Sequence, residues 1–406
     1  MMNRRIRAYE IISRFDVEGG GGGLTRFAMT LSRQMNRERF QPVVCALWDR
    51  GSEVERQHIR NLKDEGIEAF TCAEWDEQHP YRAFYQAYKR LSESLKNQPA
   101  DILHSHSEFS DMAVVFLKLE GKAPRLVRTM HNELRVIWKR RPLRRMLFTQ
   151  LLDPLLFDLE FGVSQYIKEN LDERRVARWL KRKAYAVPNA LDIHRFKDDP
   201  VIRQQVRNEL GILPDAYVVG SVGRLSEQKG YDVLVEAAAR VITREPNARF
   251  LIVGEGPMDQ VLKQQAIDLG IAPQVIFTGR RTDVERMLQA MDVFACSSRW
   301  EGLSTVIMEA MAAGVPIVAT DIPGNRELLS NGENAWLVKV EEAGDLAESL
   351  LYAMKNPTLG NRYSSQARRD VRKFGIEQVA RNYEQLYLHL MQGTDENHEN
   401  RDAQNH

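Results

Sequence analysis

The stretch "VFACSSRWEGLSTVIMEAMAAGVPIVATD", Val293 to Asp321, decides the fold. An apolar run, Val293–Cys296, leads through a polar loop into a longer apolar segment that starts near Ser304 or Thr305 and stops at Gly314. A second short run, "PIVAT", follows at Pro316–Thr320. Neither short run alternates polar with apolar residues, so each reads as a strand buried on both faces. That is the mark of a parallel sheet covered by helices. Gly314 has the place of a helix C-cap. One residue breaks the apolar segment: Glu309, between Met308 and Ala310, where a carboxylate is costly unless it meets a donor.

The same alternation extends outward. "YVVGSVG" (Tyr217–Gly223), "RFLIVG" (Arg249–Gly254) and "VIFTG" (Val275–Gly279) are strands, with helices such as "YDVLVEAAARVITRE" between them. The first half repeats the pattern with "IRAYEIIS", "QPVVCAL", "IEAFTC", "ADILHSH", "PRLVRTMH", "DLEFGVS" and "KAYAVPNA". The fold class is therefore α/β, with two open parallel-sheet domains: residues 1–192 and residues 193–375, joined near "PNALDIHRFKDDP". An amphipathic helix over 376–392 is expected to pack back across them. The polar tail 393–406 is expected to be disordered.

Composition excludes several functions. The 406 residues carry a net charge of +1, which argues against a polybasic nucleic-acid binder. The three cysteines, Cys45, Cys72 and Cys296, have neither disulfide-scaffold nor zinc-site spacing. No uninterrupted apolar window is long enough to span a bilayer, and the start "MMNRRIRAYEIISRF" has charges inside its apolar stretch, so a cytoplasmic protein is expected. Charge is nonetheless uneven: residues 1–190 hold 33 Lys+Arg against 25 Asp+Glu. Much of that excess lies in "RVIWKRRPLRRM" (Arg135–Met146) and "ERRVARWLKRK" (Glu173–Lys183). Such blocks are either solvated helix faces or a peripheral contact with an anionic membrane.

Four places can carry chemistry. Five glycines, Gly19–Gly23, sit between a strand and a helix, where backbone N–H groups can approach a phosphate or sugar hydroxyl. They match no dinucleotide fingerprint in a convincing form, because five consecutive glycines satisfy almost any glycine template and no acid sits suitably at the end of the second strand "QPVVCAL". The segment "GRLSEQKG" puts Arg224 and Lys229 on a loop at the carboxyl end of a strand, where two cations can neutralise a diphosphate. Glu301 lies in the next such loop, with Glu309 inside the following helix, and the N–H groups of Leu303, Ser304, Thr305 and Val306 face whatever anion lies above the sheet. His131, His104 and His106 end two neighbouring strands. No HExxH, CxxC or Asp-x-Asp pattern accompanies them, so no metal and no cofactor is expected.

Taken together, the glycine turn, "VPNALDIHRF", "GRLSEQKG", "VGEGP", "FTGRRTDV" and "SSRWEGLSTVIMEAMAAGVPIVATDIPGNREL" resemble the retaining glycosyltransferases of family 4, which have the GT-B fold of two facing Rossmann-like domains. The resemblance implies a nucleotide-sugar donor, most simply a UDP-sugar, on the second domain, and a sugar or lipid-linked acceptor on the first. It assigns Arg224 and Lys229 to the diphosphate, Glu301 to the donor-sugar hydroxyls and Glu309 to the ribose. Gly302 to Val306 would hold sugar and phosphate, while Glu255, Arg280 and Arg281 would line the donor pocket. Gly22 and Gly23 match the glycine pair near the donor phosphate, and His131 the histidine near the reacting sugar; His104 and His106 fall to the acceptor. The sequence departs from many relatives at Thr25, where they have Glu, and at Thr305, where they have Asn. A nucleotide-sugar epimerase on the same fold and a lipid-binding scaffold are the competing readings.

Overall fold

The computed structural model describes residues 4–15, 22–132, 146–196 and 199–402, so most of the glycine run and all but the last residue of the Arg135–Met146 block lie outside the described residues. The chain divides into two compact units. One runs to Ala190 and resumes at Ile376, and the other is Leu191–Gly375. The way into the second unit lies beside the way out: Leu191 pairs with Gly375, and its N–H bonds the carbonyl of Phe374 at 3.0 Å.

The first unit holds a seven-stranded sheet. Its strands are β1 (Ile6–Ile12), β2 (Phe40–Asp49), β3 (Glu68–Glu74), β4 (Ile102–Ser105), β5 (Leu126–Met130), β6 (Leu159–Gly162) and β7 (Tyr185–Ala186), in the order β3-β2-β1-β4-β5-β6-β7. Every described pairing is parallel. The second unit has β8 (Tyr217–Val222), β9 (Ala248–Val253), β10 (Val275–Gly279), β11 (Val293–Cys296), β12 (Ile317–Thr320) and β13 (Trp336–Val338), in the order β10-β9-β8-β11-β12-β13, again all parallel. Central strands are buried on both faces, as at Val293, Phe294, Ala295, Ile317 and Val318. The covering helix Tyr231–Arg244 buries Leu234, Ala238 and Val241, one stripe at helical spacing. In each sheet the order reverses beside the first strand, at β1/β4 and β8/β11. Open α/β sheets bind ligands at the carboxyl ends of strands flanking such a switch point.

The last helix, Ile376–Asp402, belongs to the first unit. Val379, Ala380, Tyr383 and Tyr387 form its buried stripe against Ala8, Ile102, Val127 and Phe161 of the sheet and Phe27 and Leu31 of the Gly22–Gln34 helix. The composition pointed to disorder from 393, whereas the helix runs on to Asp402; once a helix is nucleated by packing, each added residue needs only its own hydrogen bond. β13 went unread in the sequence because three residues, "WLV", show no period.

Candidate active site

In the second unit, three loops at the carboxyl ends of β8, β9 and β11 interlock through their backbones. Leu225 donates its N–H to the carbonyl of Glu255 at 2.9 Å, Met258 donates to Leu225 at 3.0 Å, and Arg299 donates to Gln228 at 2.8 Å. Two glycines make the approach feasible. Gly230 has φ +61°, and a Cβ there would stand 2.2 Å from the carbonyl oxygen of Ser297; at Gly254, φ +143°, it would stand 1.9 Å from that of Gly223.

This frame fixes Lys229 at the end of a single 3-10 turn, Glu227–Lys229. Its ammonium lies 2.5 Å from Glu301 Oε1, which also accepts from Ser298 Oγ at 2.8 Å. The lysine and glutamate side chains are 18% and 8% exposed. Burial works against the lysine charge, yet Glu301, with Glu309 behind it, raises its pKa above the ordinary value. Lys229 therefore stays cationic, held by one carboxylate. Arg224 is exposed, and among the described residues its side chain meets no hydrogen-bond or ion-pair partner.

The helix Thr305–Ala313 starts just beyond, and its first N–H groups have no intrahelical partner. Gly302, Leu303, Ser304 and Glu309 are buried, and Thr305 and Val306 half-buried. Ser304 precedes the helix without capping it, and among the described residues its buried Oγ has no hydrogen-bond partner. A buried hydroxyl left in this state is suited to a ligand. Arg280 and Glu255 face each other at 3.9 Å from neighbouring loops. The guanidinium of Arg281 bonds Asp283 at 2.8 Å through both Nε and Nη2 and Glu209 at 2.7 Å, which braces the loop.

In the first unit, Gly22 opens the Gly22–Gln34 helix and Gly23 is exposed. Thr25 is buried and donates to the carbonyl of Arg14 at 3.0 Å, tying the helix start to the chain beyond β1, so the residue that replaces Glu here is structural. His131 follows β5, half-buried, with Nε2 3.5 Å from His106 Nδ1 and its ring edge-on to Phe27. Burial, reinforced by His106 and His104, holds its pKa well below the ordinary imidazole value, so it is neutral near pH 7.

Behind it lies a closed polar network. Glu10 of β1 meets His106 Nε2 at 2.6 Å and His104 Nδ1 at 3.0 Å, and accepts from the Tyr387 hydroxyl at 3.1 Å. His104 Nε2 lies 2.8 Å from Thr129 Oγ1. His104 thus has both ring nitrogens engaged and no exposed surface, which corrects its placement at the acceptor; it is part of the core. Burial opposes the Glu10 charge, but the two imidazoles bring its pKa down to about 2. Among the described residues, Glu10, His104 and His106 are also the one set whose ligand atoms lie close enough to share a cation, within 4.8 Å. The hydrogen bonds they make already satisfy one another.

The model of the family described as "Glycosyl transferases group 1" matches residues 202–370, and that of "Glycosyltransferase Family 4" matches residues 21–195. Among curated proteins, the chain is 28% identical over 243 residues to the lipopolysaccharide core biosynthesis mannosyltransferase LpsB of Rhizobium meliloti, covering 57% of this chain and 69% of that one. It is 26% identical over 310 residues to the UDP-Gal:alpha-D-GlcNAc-diphosphoundecaprenol alpha-1,3-galactosyltransferase of Escherichia coli, covering 74% and 78%. The Anabaena protein Alr3699/HepE, solved with UDP-glucose, superposes with a TM-score of 0.79 at 21% identity over 94% of this chain and 99% of that chain. That likeness establishes the architecture alone.

Proposed function

The chain belongs to the family 4, group 1 glycosyltransferases, and we propose that it moves a sugar from a UDP-sugar to an acceptor hydroxyl with retention at the anomeric carbon and without a metal ion. The observation that carries this reading is the fixed Lys229–Glu301 pair beside the uncommitted Arg224 and the helix start at Thr305. A diphosphate leaving group develops charge as the bond to the anomeric carbon breaks, and one half-buried ammonium, one guanidinium and the first N–H groups of a helix are donors for it. Glu301 is itself held by Lys229 and Ser298, a setting suited to orienting sugar hydroxyls, with Glu309 left for the ribose. In this mechanism the acceptor oxygen bonds the anomeric carbon on the face the phosphate leaves. The bond from that carbon to the diphosphate oxygen breaks, and the hydroxyl proton passes to the departing phosphate oxygen.

The relatives named for lipopolysaccharide core and diphosphoundecaprenol substrates support a role in bacterial polysaccharide or glycolipid assembly, with a sugar or lipid-linked acceptor. Among the described residues no helix is long and apolar enough to cross a membrane. Peripheral contact is supported by Leu147, Leu151 and Leu155, exposed at four-residue spacing, and by Trp179, 78% exposed. Trp179 ends the helix Arg175–Trp179 among basic residues, a combination that suits an anionic lipid interface.

The test is a thermal-shift panel of UDP-, GDP- and ADP-sugars, with and without EDTA, beside Lys229→Ala. A ligand at 100 times its Kd adds about 2.7 kcal/mol, so binding is readily seen. Stabilisation of the wild type by UDP-sugars, unchanged by EDTA and lost in the variant, is expected; stabilisation that requires a divalent ion overturns the metal-free reading. The anomeric coupling constant of the product, read by proton NMR, decides retention. Conversion of the donor without acceptor would favour the epimerase.

A further inference from the structure

The carboxylate of Glu301 is held unevenly. Its Oε1 takes the Lys229 ammonium at 2.5 Å and the Ser298 hydroxyl at 2.8 Å, whereas the hydrogen bond to Oε2, from the Gln228 amide, is 3.5 Å long. A contact of that length is weak, and the same amide donates to the Trp300 carbonyl at 3.0 Å. One oxygen is therefore fixed by two donors, and the other keeps acceptor capacity.

Ser298 is itself fixed from behind. It is 1% exposed, and its backbone carbonyl accepts from the hydroxyl of Thr320, the last residue of β12, at 2.6 Å. The Thr320 carbonyl accepts in turn from Nδ2 of the fully buried Asn325 at 2.9 Å. The direction of the bond from Ser298 to Glu301 is also set. The Cys296 sulfur lies 3.4 Å from Ser298 Oγ, and burial raises the pKa of this thiol, so it keeps its proton and donates. The single hydroxyl proton of Ser298 is left for Glu301. The Glu301 backbone is held as well: a Cβ on Gly324 would stand 2.4 Å from its carbonyl oxygen, so the turn Pro323–Arg326 packs directly on this loop.

Lys229 alone could not fix the carboxylate in this way. An ammonium is a compact point charge that either oxygen satisfies equally, so the carboxylate could turn about its terminal bond. The second donor on Oε1 removes that symmetry.

We propose that Ser298, kept in place by Thr320, is a positioning residue that decides which oxygen of Glu301 meets the donor sugar: Oε1 stays with Lys229, and Oε2 is presented to a hydroxyl of the sugar ring. The inference rests on the reading of the second unit as the donor site and deepens it. A carboxylate with one fixed acceptor direction separates a hydroxyl from its epimer, and a turning one does not.

Isothermal titration of the full chain with UDP, UDP-glucose, UDP-galactose and UDP-N-acetylglucosamine reads the nucleotide and the sugar separately. In the wild type the Kd values of the three sugar nucleotides should spread over at least about tenfold, the effect of one hydrogen bond to a charged group. Ser298→Ala and Thr320→Val, which remove the two hydroxyls with little change of shape, should each narrow that spread to about threefold or less while the UDP Kd stays within about twofold. Thr320→Ser keeps the hydroxyl and should restore the spread. A purely structural role would lower the melting temperature of the variants and leave the spread as it was. A folded Ser298→Ala protein with the wild-type spread overturns the proposal, as does Thr320→Ser behaving like Thr320→Val, or a wild type that binds UDP and holds all three sugar nucleotides alike. Failure of UDP itself to bind would instead strike the UDP-sugar reading.

Discussion

Lys229→Met keeps the length of the side chain and removes its charge, so donor affinity and stability can be read separately. The charge-assisted bond proposed between Lys229 and the diphosphate would be worth about 1.5 to 3 kcal/mol, so its loss converts to a UDP Kd weaker by roughly 10- to 150-fold. Stability changes for a different reason. The variant leaves Glu301, 8% exposed, with Ser298 as its close donor. Breaking a fully buried pair costs about 3 to 5 kcal/mol, and the partial exposure of Lys229 together with the remaining hydrogen bond reduces this to about 2 kcal/mol. At about 2 to 4 °C per kcal/mol for a unit of this size, the transition should drop by roughly 4 to 8 °C. Adding Glu301→Gln removes the stranded charge, so the double variant should regain most of the stability and none of the UDP affinity. Isothermal titration with UDP and thermal unfolding measure the two quantities. A folded Lys229→Met protein whose UDP Kd lies within threefold of wild type refutes the diphosphate role, and a double variant no more stable than the single one refutes the account of the pair.

Three further outcomes follow from the geometry. Burial, aided by His104 and against the pull of Glu10, lowers the His106 pKa from 6.5 to about 4, so the folded state binds fewer protons than the unfolded state in that window. Stability is then complete above pH 6.5 and lost as pH falls toward 4, by up to about 3 kcal/mol, and Glu10 extends the loss toward pH 2; a flat urea-unfolding free energy between pH 7 and 4.5 would contradict this. Gly230→Ala places a Cβ 2.2 Å from the Ser297 carbonyl oxygen in left-handed backbone, and should cost at least about 1 to 3 kcal/mol along with UDP affinity, so unchanged melting and titration would sink the interlocked-loop argument. Tyr387→Phe removes a hydroxyl 2.6 Å from His104 and 3.1 Å from Glu10, and should destabilise by about 1 to 3 kcal/mol in urea; a loss below about 0.5 kcal/mol would show that the network tolerates the gap.

What could be read in the sequence was local. The β11–helix–β12 unit, the loop carrying Arg224 and Lys229, and Glu309 within its apolar helix are each legible from a few consecutive residues, because a strand buried on both faces and a tight glycine loop impose their own patterns. The proximity of Lys229 to Glu301 was implied only by placing both at strand ends of one sheet. What could not be read depends on pairing across the chain. Nothing near Glu10 announces that a histidine of β4, another just beyond its end and a tyrosine 377 positions later will surround it. Nothing beside Arg281 in the sequence shows that Glu209 will come to it from another element. Asp111 and Asp153, the carboxylates beside the buried Arg128 of β5, carry no motif, and only Arg128, itself inside an apolar strand, hinted that carboxylates would be needed. Arg128 in "PRLVRTMH" is the signal that could have found them, by the same reasoning that singled out Glu309.

The division of the first unit into two separate stretches of chain also sets an order of events during synthesis. All seven strands of its sheet leave the ribosome before Leu191, yet Tyr383 and Tyr387, which cover the core and bond the buried network, arrive only after the whole of Leu191–Gly375 has been made. At about 5 to 20 residues per second that interval is roughly 10 to 40 s. Throughout it the nascent sheet lacks the helix that seals Ala8, Ile102, Val127 and Phe161 from water, while the second unit already has every residue it needs. The later-encoded half can therefore reach its final form first, and a chain that stalls or is clipped before Tyr383 leaves the earlier half open as a substrate for chaperones and proteases.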